Sequence, residues 1–346
     1  MKKYNYIIVG QGLAGTLLAY FLLQAGQRVL IIDENTEGGA SAIAAGVINP
    51  VTGRRIVKSW RIDEFLPFAK NTYQSIENQY DIHIWQDRHI IRTFKNAEDE
   101  NEWLLRSQWA DYRPYCLSET SPPSVFQHKI RPFYGYGEIV QAAQVHIPVL
   151  IDFFRKKWTQ EGILIEKNWR DMDDIMTQSD TPIIFCEGAK GAINPHFNWL
   201  PFNLDKGELL IVKIPNLNLS SIFKNNISIV PLGNDLYWVG ATNEWNSPHD
   251  KPTEAKKELI INELRDILTV DFEVIDHKSA LRPTVKDRRP FIGFHPTQPH
   301  RAIFNGFGTK GASLIPYWAN HFADVLLRGM PLDTDVDIKR YTMIDV

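Results

Sequence analysis

The hydrophobic positions of the first 34 residues change from a strand pattern to a helical pattern and back. The segment "YIIV" at 6–9 is a short β-branched apolar run, typical of a buried parallel strand. The segment "LAGTLLAYFLLQAG" at 13–26 carries apolar residues at helical spacing and ends on Gly26. A second apolar run, "RVLIID", follows at 28–33. This order predicts a strand, a glycine turn, a helix and a second strand.

The remainder of the chain repeats both patterns. Apolar residues at helical spacing predict helices within 55–80, 147–162, 253–268 and 313–329. Short apolar runs predict strands of βαβ type at 163–169, 181–189 and 301–308. "GELLIVKIP", "SIVPLG" and "LYWVGATNE", with turn residues between them, predict antiparallel strands. Residues 82–135 are rich in aromatic residues and prolines, lack a sustained helical period, and are predicted to form strands and loops.

The order of these elements predicts an α/β fold with two domains. The βαβ units lie at the start, the middle and the end of the chain, which indicates one Rossmann-like domain with a mainly parallel sheet, assembled from 1–80, 137–200 and 277–346. A second α+β domain with an antiparallel sheet is predicted for 81–136 and 201–276. A simple division at mid-chain does not fit this order.

The first turn carries the glycine pattern of a dinucleotide site. Gly10 allows a tight turn, Gly12 lets the backbone approach a diphosphate, and Gly15 lets the helix pack closely on the strand. The amino end of the helix would offer free N–H groups to the phosphates. Asp33, at the end of the second strand, would accept a hydrogen bond from a ribose hydroxyl. The alternative is that these glycines serve packing alone.

The next segment favours a flavin over a nicotinamide cofactor. "EGGASAIAAGVINPVTGRR" at 37–55 is dense in glycine, alanine and serine, so its backbone can lie flat against a large ring system. A flexible surface loop is the alternative. Arg54 and Arg55 end this segment and could lie at the entrance of the site or in a solvated loop.

Composition excludes several other classes. The formal net charge of −3 provides no basic surface for nucleic acid, so a nucleic-acid partner is not predicted. Two cysteines cannot build a disulfide framework and suggest a reducing compartment, and Cys186 fits a small buried strand residue. No apolar run is long enough to span a membrane, and the early run is interrupted by Gly10 and Gly12, unlike a signal peptide. These features predict a cytoplasmic protein, and no metal site is predicted.

Several later motifs together resemble the D-amino-acid oxidase and glycine oxidase family of FAD-dependent oxidoreductases. Beside the opening "GQGLAG", the similar segments are "FCEGAKG" at 185–191, "LDKGELL" at 204–210, "YWVGATNEW" at 237–245, "ALRPTVKDRRPFIG" at 280–293 and "GFGTKGASLIP" at 306–316. The last two in tandem are the most specific. The chain departs from the family pattern at Glu208 (usually Gln), Phe307 (usually His) and Ser228 (Tyr in glycine oxidase). The latter two departures concern the substrate more than the cofactor.

The resemblance implies a non-covalently bound FAD and a set of residues around it. The implied cofactor-binding residues are Gly10, Gly12, Leu13, Ala14, Gly15, Asp33, Glu34, Ser41, Ala45, Gly46, Val47, Trp169, Cys186, Glu187, Gly188, Gly308, Thr309, Lys310 and Gly311. In this family the final helix directs its amino end at the flavin's pyrimidine edge, where reduced flavin carries negative charge. Lys310 could add a positive charge there, or could simply be solvent-exposed.

Arg282 and Lys310 are the residues predicted to serve catalysis. Arg282 lies in the apolar context "SALRP", where a guanidinium must find an anion. Its planar fork matches a carboxylate, and the resemblance makes it the substrate's carboxylate anchor. The alternative is an internal salt bridge to an acid such as Asp287.

The resemblance implies oxidation of a carbon–nitrogen bond in a small amine or amino acid. Hydride would pass to the flavin, the imine would hydrolyse in water, and oxygen or another acceptor would reoxidise the cofactor. Tyr237, Trp238 and Trp245 are candidates to line the substrate site, although Tyr237 and Trp238 must face opposite ways along a strand. The pattern decides neither the substrate, nor oxidase against dehydrogenase, nor the oligomeric state.

Three other functions stay open on sequence grounds. The flavin domain of bifunctional tRNA-modifying oxidases has a similar Gly/Ala loop and last glycine turn, but it would require a basic surface. A flavin-binding protein without turnover would bind the cofactor and resist reduction by any amine. A nicotinamide-dependent dehydrogenase would purify without colour.

Overall fold

The computed structural model describes residues 4–34, 39–53, 55–118, 126, 128–172, 181–245, 247 and 249–341. The helices are α1 (Leu13–Gln24), α2 (Ile62–Tyr80), α3 (Ala97–Ser107), α4 (Ile147–Gln160), α5 (Glu254–Ile267) and α6 (Gly311–Arg328). The strands are β1 (Tyr6–Val9), β2 (Val29–Asp33), β3 (Val47–Ile48), β4 (Val51–Thr52), β5 (Val57–Lys58), β6 (Trp85–Phe94), β7 (Gly135–Val145), β8 (Leu164–Glu166), β9 (Ile183–Phe185), β10 (Asp205–Lys213), β11 (Ile222–Lys224), β12 (Ser228–Gly233), β13 (Leu236–Gly240), β14 (Glu244–Trp245), β15 (Glu273–Arg282), β16 (Phe291–Phe294) and β17 (Arg301–Asn305).

The smaller sheet has six strands in the order β16-β17-β9-β1-β2-β8. All neighbours pair in parallel except β16 and β17, which are antiparallel. The central strand β1 is buried along its whole length, as expected for a parallel strand covered on both faces. This sheet confirms the predicted Rossmann-like part of the fold.

The larger sheet runs in the order β14-β10-β13-β12-β11-β6-β7-β3, with β15 also pairing β10. Its pairings are antiparallel apart from β11 with β6. The predicted second, antiparallel sheet is therefore confirmed.

The two faces of the larger sheet pack against different parts of the molecule. Ile91, Phe223 and Ile229 face a core that includes Ile260 and Leu264 of α5. The residues that alternate with them belong to the core shared with α1 and α6; these are Ile90, Ile222 and Val230. Because successive strand residues point to opposite faces, one face of this sheet is turned toward the smaller sheet and its helices.

The segment predicted to consist of strands and loops also contains a helix, α3. Only Trp103 and Ser107 of α3 are buried, and its apolar residues are confined to Ala97 and the run Trp103–Leu105, so they do not form a stripe along the helix. The start of α3 does have a local sequence signal, because Asn96 is a favoured N-cap residue. Its side chain accepts a hydrogen bond from the Asp99 N–H at 3.0 Å.

The predicted division into two domains stays a prediction. Two of its boundaries, 136/137 and 276/277, fall inside β7 and β15, and both strands belong to the larger sheet. Within the described ranges, no helix is long and apolar enough to cross a membrane.

Candidate active site

The glycine turn between β1 and α1 has the close contacts that the fingerprint predicts. A Cβ on Gly15 would lie 1.9 Å from the carbonyl oxygen of Gly10, so only glycine lets α1 approach the turn this closely. Gly12 is the N-cap of α1 and has no side chain to cap it, and the first turn of α1 contains no acid. Ser41 accepts a hydrogen bond from the Leu13 N–H at 3.2 Å. The amino end of α1 therefore combines a close backbone approach with a positive dipole end.

The two acids after β2 are held by basic partners. Asp33 accepts a hydrogen bond from the Gln11 N–H at 2.7 Å and pairs with Arg155 of α4. Glu34 pairs with Lys190 at 2.6 Å. These contacts fix Asp33 beside the glycine turn, where a carboxylate that accepts a hydrogen bond from a ribose hydroxyl is expected.

The small-residue segment crosses from the smaller to the larger sheet. Gly46 has φ +68°, and a Cβ there would lie 1.8 Å from the Val145 carbonyl oxygen, so a side chain cannot be accommodated. Val47 begins β3, which pairs with β7. Ser41, Ala45, Gly46 and Val47 thus lie where the two sheets meet.

The middle turn, after β9, is organised around a buried carboxyl group. Glu187 accepts hydrogen bonds from the indole N–H of Trp169 at 2.6 Å and from Asn194. Burial, the largest influence, raises the pKa of Glu187 in spite of these bonds. Cys186 is fully enclosed, and burial raises the pKa of its thiol well above the ordinary value. Cys186 therefore behaves as the small buried residue that the strand pattern predicts.

The final turn is joined to the middle turn by one side chain. Asn305 donates to the Gly188 carbonyl oxygen at 2.9 Å, and its own oxygen accepts from the Gly306 N–H at 2.8 Å. Helix α6 then begins at Gly311 with neither a side-chain cap nor an acid in its first turn. The two turns and the starts of α1 and α6 consequently lie around one region at the ends of β1, β9 and β17.

Lys310 is partly buried rather than fully solvated. Its ammonium donates to the Ser59 hydroxyl at 3.1 Å. Burial, and then the positive charges of Arg288 and Arg289, lower the pKa of Lys310. A lysine in this environment would be stabilised by a nearby negative charge.

The structure gives Arg282 a partner inside the protein. Its guanidinium donates to Asp205 at 2.6 Å across the β10–β15 pairing, and to the Thr242 carbonyl oxygen and the Asn243 amide oxygen at 3.3 and 3.1 Å. Asp205 is almost fully buried. The alternative of an internal salt bridge is therefore observed, with Asp205 as the partner. Asp287 instead pairs with Arg340 at 2.8 Å. Whether Arg282 also anchors a substrate stays a prediction.

The aromatic candidates separate as strand geometry requires. Tyr237 packs in the core under α5, whereas Trp238 faces the smaller sheet and donates to the Ile43 carbonyl oxygen at 2.9 Å. Trp245 is 53% exposed, so it does not line an enclosed site.

Of the two arginines after the small-residue segment, the structure describes only Arg55. Arg54 lies outside the described residues. Arg55 is exposed and lines a pocket of about 780 Å³ together with residues of α3, none of which belongs to the predicted cofactor set.

The residues present fit FAD. The first turns of α1 and α6 contain no acid, the backbone of Gly12 is partly exposed at the start of α1, and Asp33 lies beside the first turn. The contacts that sequence reasoning missed are Asp205 with Arg282, Arg155 with Asp33, and Ser59 with Lys310. Each joins segments far apart in the sequence, so no local pattern revealed it.

Comparisons with known proteins agree with this geometry. A family model described as FAD dependent oxidoreductase matches residues 5–325. The glycine oxidase of Bacillus subtilis (strain 168) is 22% identical over 363 residues, covering 94% of each chain. The solved glycine oxidase of Bacillus cereus ATCC 14579 has a TM-score of 0.77 at 17% identity, covering 95% of this chain and 96% of that one. The iminodiacetate oxidase of Chelativorans sp. BNC1 has a TM-score of 0.77 at 19% identity, covering 97% and 98%.

Proposed function

This chain belongs to the FAD-dependent oxidoreductase family, and we propose that it oxidises the carbon–nitrogen bond of a small amine or amino acid. The predicted FAD cofactor and the predicted enzyme class are confirmed by that membership. The substrate class is inferred from the relatives, whose names specify oxidation of glycine and of iminodiacetate.

The observation that carries the proposal is that the chain aligns with these relatives over nearly its whole length. Each of the three alignments, with the two glycine oxidases and the iminodiacetate oxidase, covers at least 94% of this chain and at least 94% of the relative. The larger sheet turns one face toward the cofactor residues, and Trp238 joins that face to the small-residue segment through the Ile43 carbonyl. A small substrate would lie between this face and the flavin.

The residues around the cofactor would hold it in a fixed position. The N–H groups at the start of α1 would bind the diphosphate, and Asp33 would bind a ribose hydroxyl. The amino end of α6 and Lys310 would stabilise negative charge at the flavin's pyrimidine edge. When bound, FAD supplies the two-electron oxidation of the carbon–nitrogen bond.

The chain's own contribution to the reaction would be placement of the substrate. The amine must lie unprotonated with its α-hydrogen over the flavin, and geometry of this kind accounts for a large part of catalysis. No side-chain base is required for this step. The imine product would then be hydrolysed by water.

The test is an anaerobic titration of the FAD-loaded protein with glycine, proline, D-amino acids, N-methyl amino acids and iminodiacetate. We expect at least one of these amines to bleach the flavin absorption band. A protein that keeps FAD and is not bleached by any of them would refute amine oxidation and favour a flavin-binding role without turnover. A gel shift with tRNA checks the tRNA-modifying alternative, and we expect no shift.

A further inference from the structure

One row of residues crosses the larger sheet on the face turned toward the cofactor. Arg92 of β6 pairs with Lys224 of β11, Lys224 pairs with Ser228 of β12, and Ser228 pairs with Gly240 of β13. Directly paired residues project from the same face of a sheet. Arg92, Lys224 and Ser228 therefore form one polar row of neighbouring side chains.

The burial pattern fixes which face carries this row. Ile90 and Ile222 lie two residues before Arg92 and Lys224, and both belong to the core shared with α1 and α6. Ile91 and Phe223, the intervening residues, belong to the core under α5. By strand alternation, Arg92 and Lys224 project toward the cofactor side.

The row also contacts the segment that follows the glycine turn. Arg92 donates to the Gly53 carbonyl oxygen at 2.6 Å. On the same face, Trp238 reaches the Ile43 carbonyl oxygen at 2.9 Å. Gly53 and Ile43 both belong to the segment predicted to run along the flavin, so the row borders the region between the sheet and the cofactor.

Two cations lie side by side in this row. Lys224 is partly buried, and its described hydrogen bond is a long one of 3.4 Å to the Asn226 carbonyl oxygen. Burial, and then the charge of Arg92, lower the pKa of Lys224 to about 8. Asp99 and Cys116 act electrostatically on Arg92, yet burial dominates and lowers its pKa as well. Two neighbouring desolvated cations are best stabilised by a bound anion.

We propose that Arg92 and Lys224 bind the carboxylate of the substrate, the role that the resemblance assigns to Arg282. The contrast with Arg282 supports this assignment, because Arg282 already has the buried carboxylate of Asp205 as its counter-ion. A substrate carboxylate at Arg282 would lie close to Asp205, whereas at Lys224 it would meet two positive charges. The inference rests on the proposed function, and it specifies an amine that carries a carboxylate.

The experiment measures acetate binding to the oxidised, FAD-loaded protein from the perturbation of the flavin absorption band. Acetate needs no turnover, so this measurement is possible even if no amine reduces the flavin. We expect the acetate Kd to rise about tenfold to a hundredfold in Lys224→Met, because a hydrogen bond to a charged group is lost. Lys224→Arg should retain most of the affinity, and Arg282→Met should change it less than Lys224→Met does.

Lys213→Met is the matched control, because Lys213 is an exposed lysine of the same sheet. Its acetate Kd should stay within twofold of the unmodified protein. FAD content and the thermal midpoint are measured for every variant, and Lys224→Gln replaces Lys224→Met if that variant loses FAD. An unchanged acetate Kd in a folded Lys224 variant would overturn the proposal. Perturbation by inorganic phosphate but not by acetate would also overturn it, because the pair would then bind a free inorganic anion.

Discussion

The first glycine turn and the substrate side of this molecule are built by contacts of very different sequence range. Around the glycine turn, Gly15 lies against Gly10 and Asp33 accepts from Gln11, contacts that span five and 22 residues. On the larger sheet, Arg282 meets Asp205 across 77 residues, and Lys224 lies beside Arg92 only because β11 pairs with β6. The first glycine turn is therefore encoded locally, although Arg155 and Lys310 join the cofactor side through long-range contacts, whereas the substrate side depends on strand register.

This difference has a consequence for substitutions. Changes at the glycine turn act on tightly packed backbone and should abolish FAD binding. Changes on the larger sheet act on individual charges, and they should alter stability or ligand choice while the fold persists.

The largest effect is expected for Gly15→Ala. Its new Cβ would lie 1.9 Å from the Gly10 carbonyl oxygen, so α1 must move away from the turn. We expect a loss of about 3 kcal/mol in the free energy of unfolding and almost complete loss of FAD from the purified protein. Gly39→Ala is the control, because nothing lies within 4 Å of a Cβ at that position. Retention of normal FAD content in Gly15→Ala would contradict the close approach.

The sequence predicted the elements around the first glycine turn well, and the reason is local. The strand, turn, helix and strand at 4–34 each have a periodicity or glycine pattern of their own, so β1, α1 and β2 could be placed without knowledge of distant residues. The same holds for α4, α5 and α6, whose apolar stripes are clear. Helix α3 was missed because it buries little apolar surface.

The substrate side could be predicted only in outline. The strands of the larger sheet were recognised, but their order and register were not, and register decides that Asp205 faces Arg282. Arg282 could be singled out from its apolar context, yet the acid that satisfies it lies in another motif. A buried charge indicates that a partner of opposite charge exists, but it does not identify which residue that partner is.

The second largest effect is expected for Asp205→Asn, which tests the substrate side. The change leaves the Arg282 guanidinium, whose side chain is only 17% exposed, without its carboxylate. We expect the free energy of unfolding to fall by about 2–3 kcal/mol in urea at saturating FAD. Asp266→Asn, at an exposed position of α5, should change it by less than about 0.5 kcal/mol. Equal stability of the two variants would show that the Asp205–Arg282 pair does not stabilise the fold.

A smaller, pH-dependent effect is expected at Glu208, on the same strand as Asp205. The carboxylate lies 2.9 Å from the buried Lys206 ammonium and accepts from the Thr253 N–H at 2.8 Å and hydroxyl at 3.0 Å. Burial, the largest single influence, opposes ionisation, but the bonds from Thr253 and Lys206 together lower the pKa of Glu208. Its stabilising contribution is therefore present above the unfolded pKa and is lost as pH falls through the folded value.

Glu208→Gln should consequently lose about 1–2 kcal/mol of unfolding free energy at pH 7. The difference from the unmodified protein should shrink as pH falls below about 4.3, the ordinary pKa of a glutamate. Urea unfolding between pH 7 and pH 3 measures both quantities. Glu258→Gln, at an exposed position of α5, is the control and should show neither effect. A difference that stays constant down to pH 3 would mean that the charge of Glu208 does not stabilise the fold.

The smallest effect is expected for Lys310→Met, and it returns to the cofactor side with the opposite sign. Burial and the charges of Arg288 and Arg289 lower the pKa of Lys310, so its charged form is disfavoured in the protein without FAD. Removing it should raise the unfolding free energy of the FAD-free protein at pH 7 by about 0.5–1 kcal/mol, although the bond to Ser59 is lost. Because the folded pKa lies below the unfolded one, the penalty declines as pH rises from the folded pKa towards the unfolded one, and the two proteins should converge in stability above about pH 10.4, the ordinary pKa of a lysine.

If Lys310 serves the cofactor, the same variant should bind FAD more weakly while its FAD-free form is more stable. Lys339→Met, at an exposed lysine of the C-terminal segment, should change neither the stability nor the FAD affinity. A less stable FAD-free Lys310→Met protein with unchanged FAD affinity would assign Lys310 a structural role through Ser59. The signs of the two effects therefore distinguish a structural role of Lys310 from a cofactor-binding role. Only a lysine that is kept in an unfavourable environment in order to bind FAD would, when replaced, weaken FAD binding and stabilise the FAD-free fold.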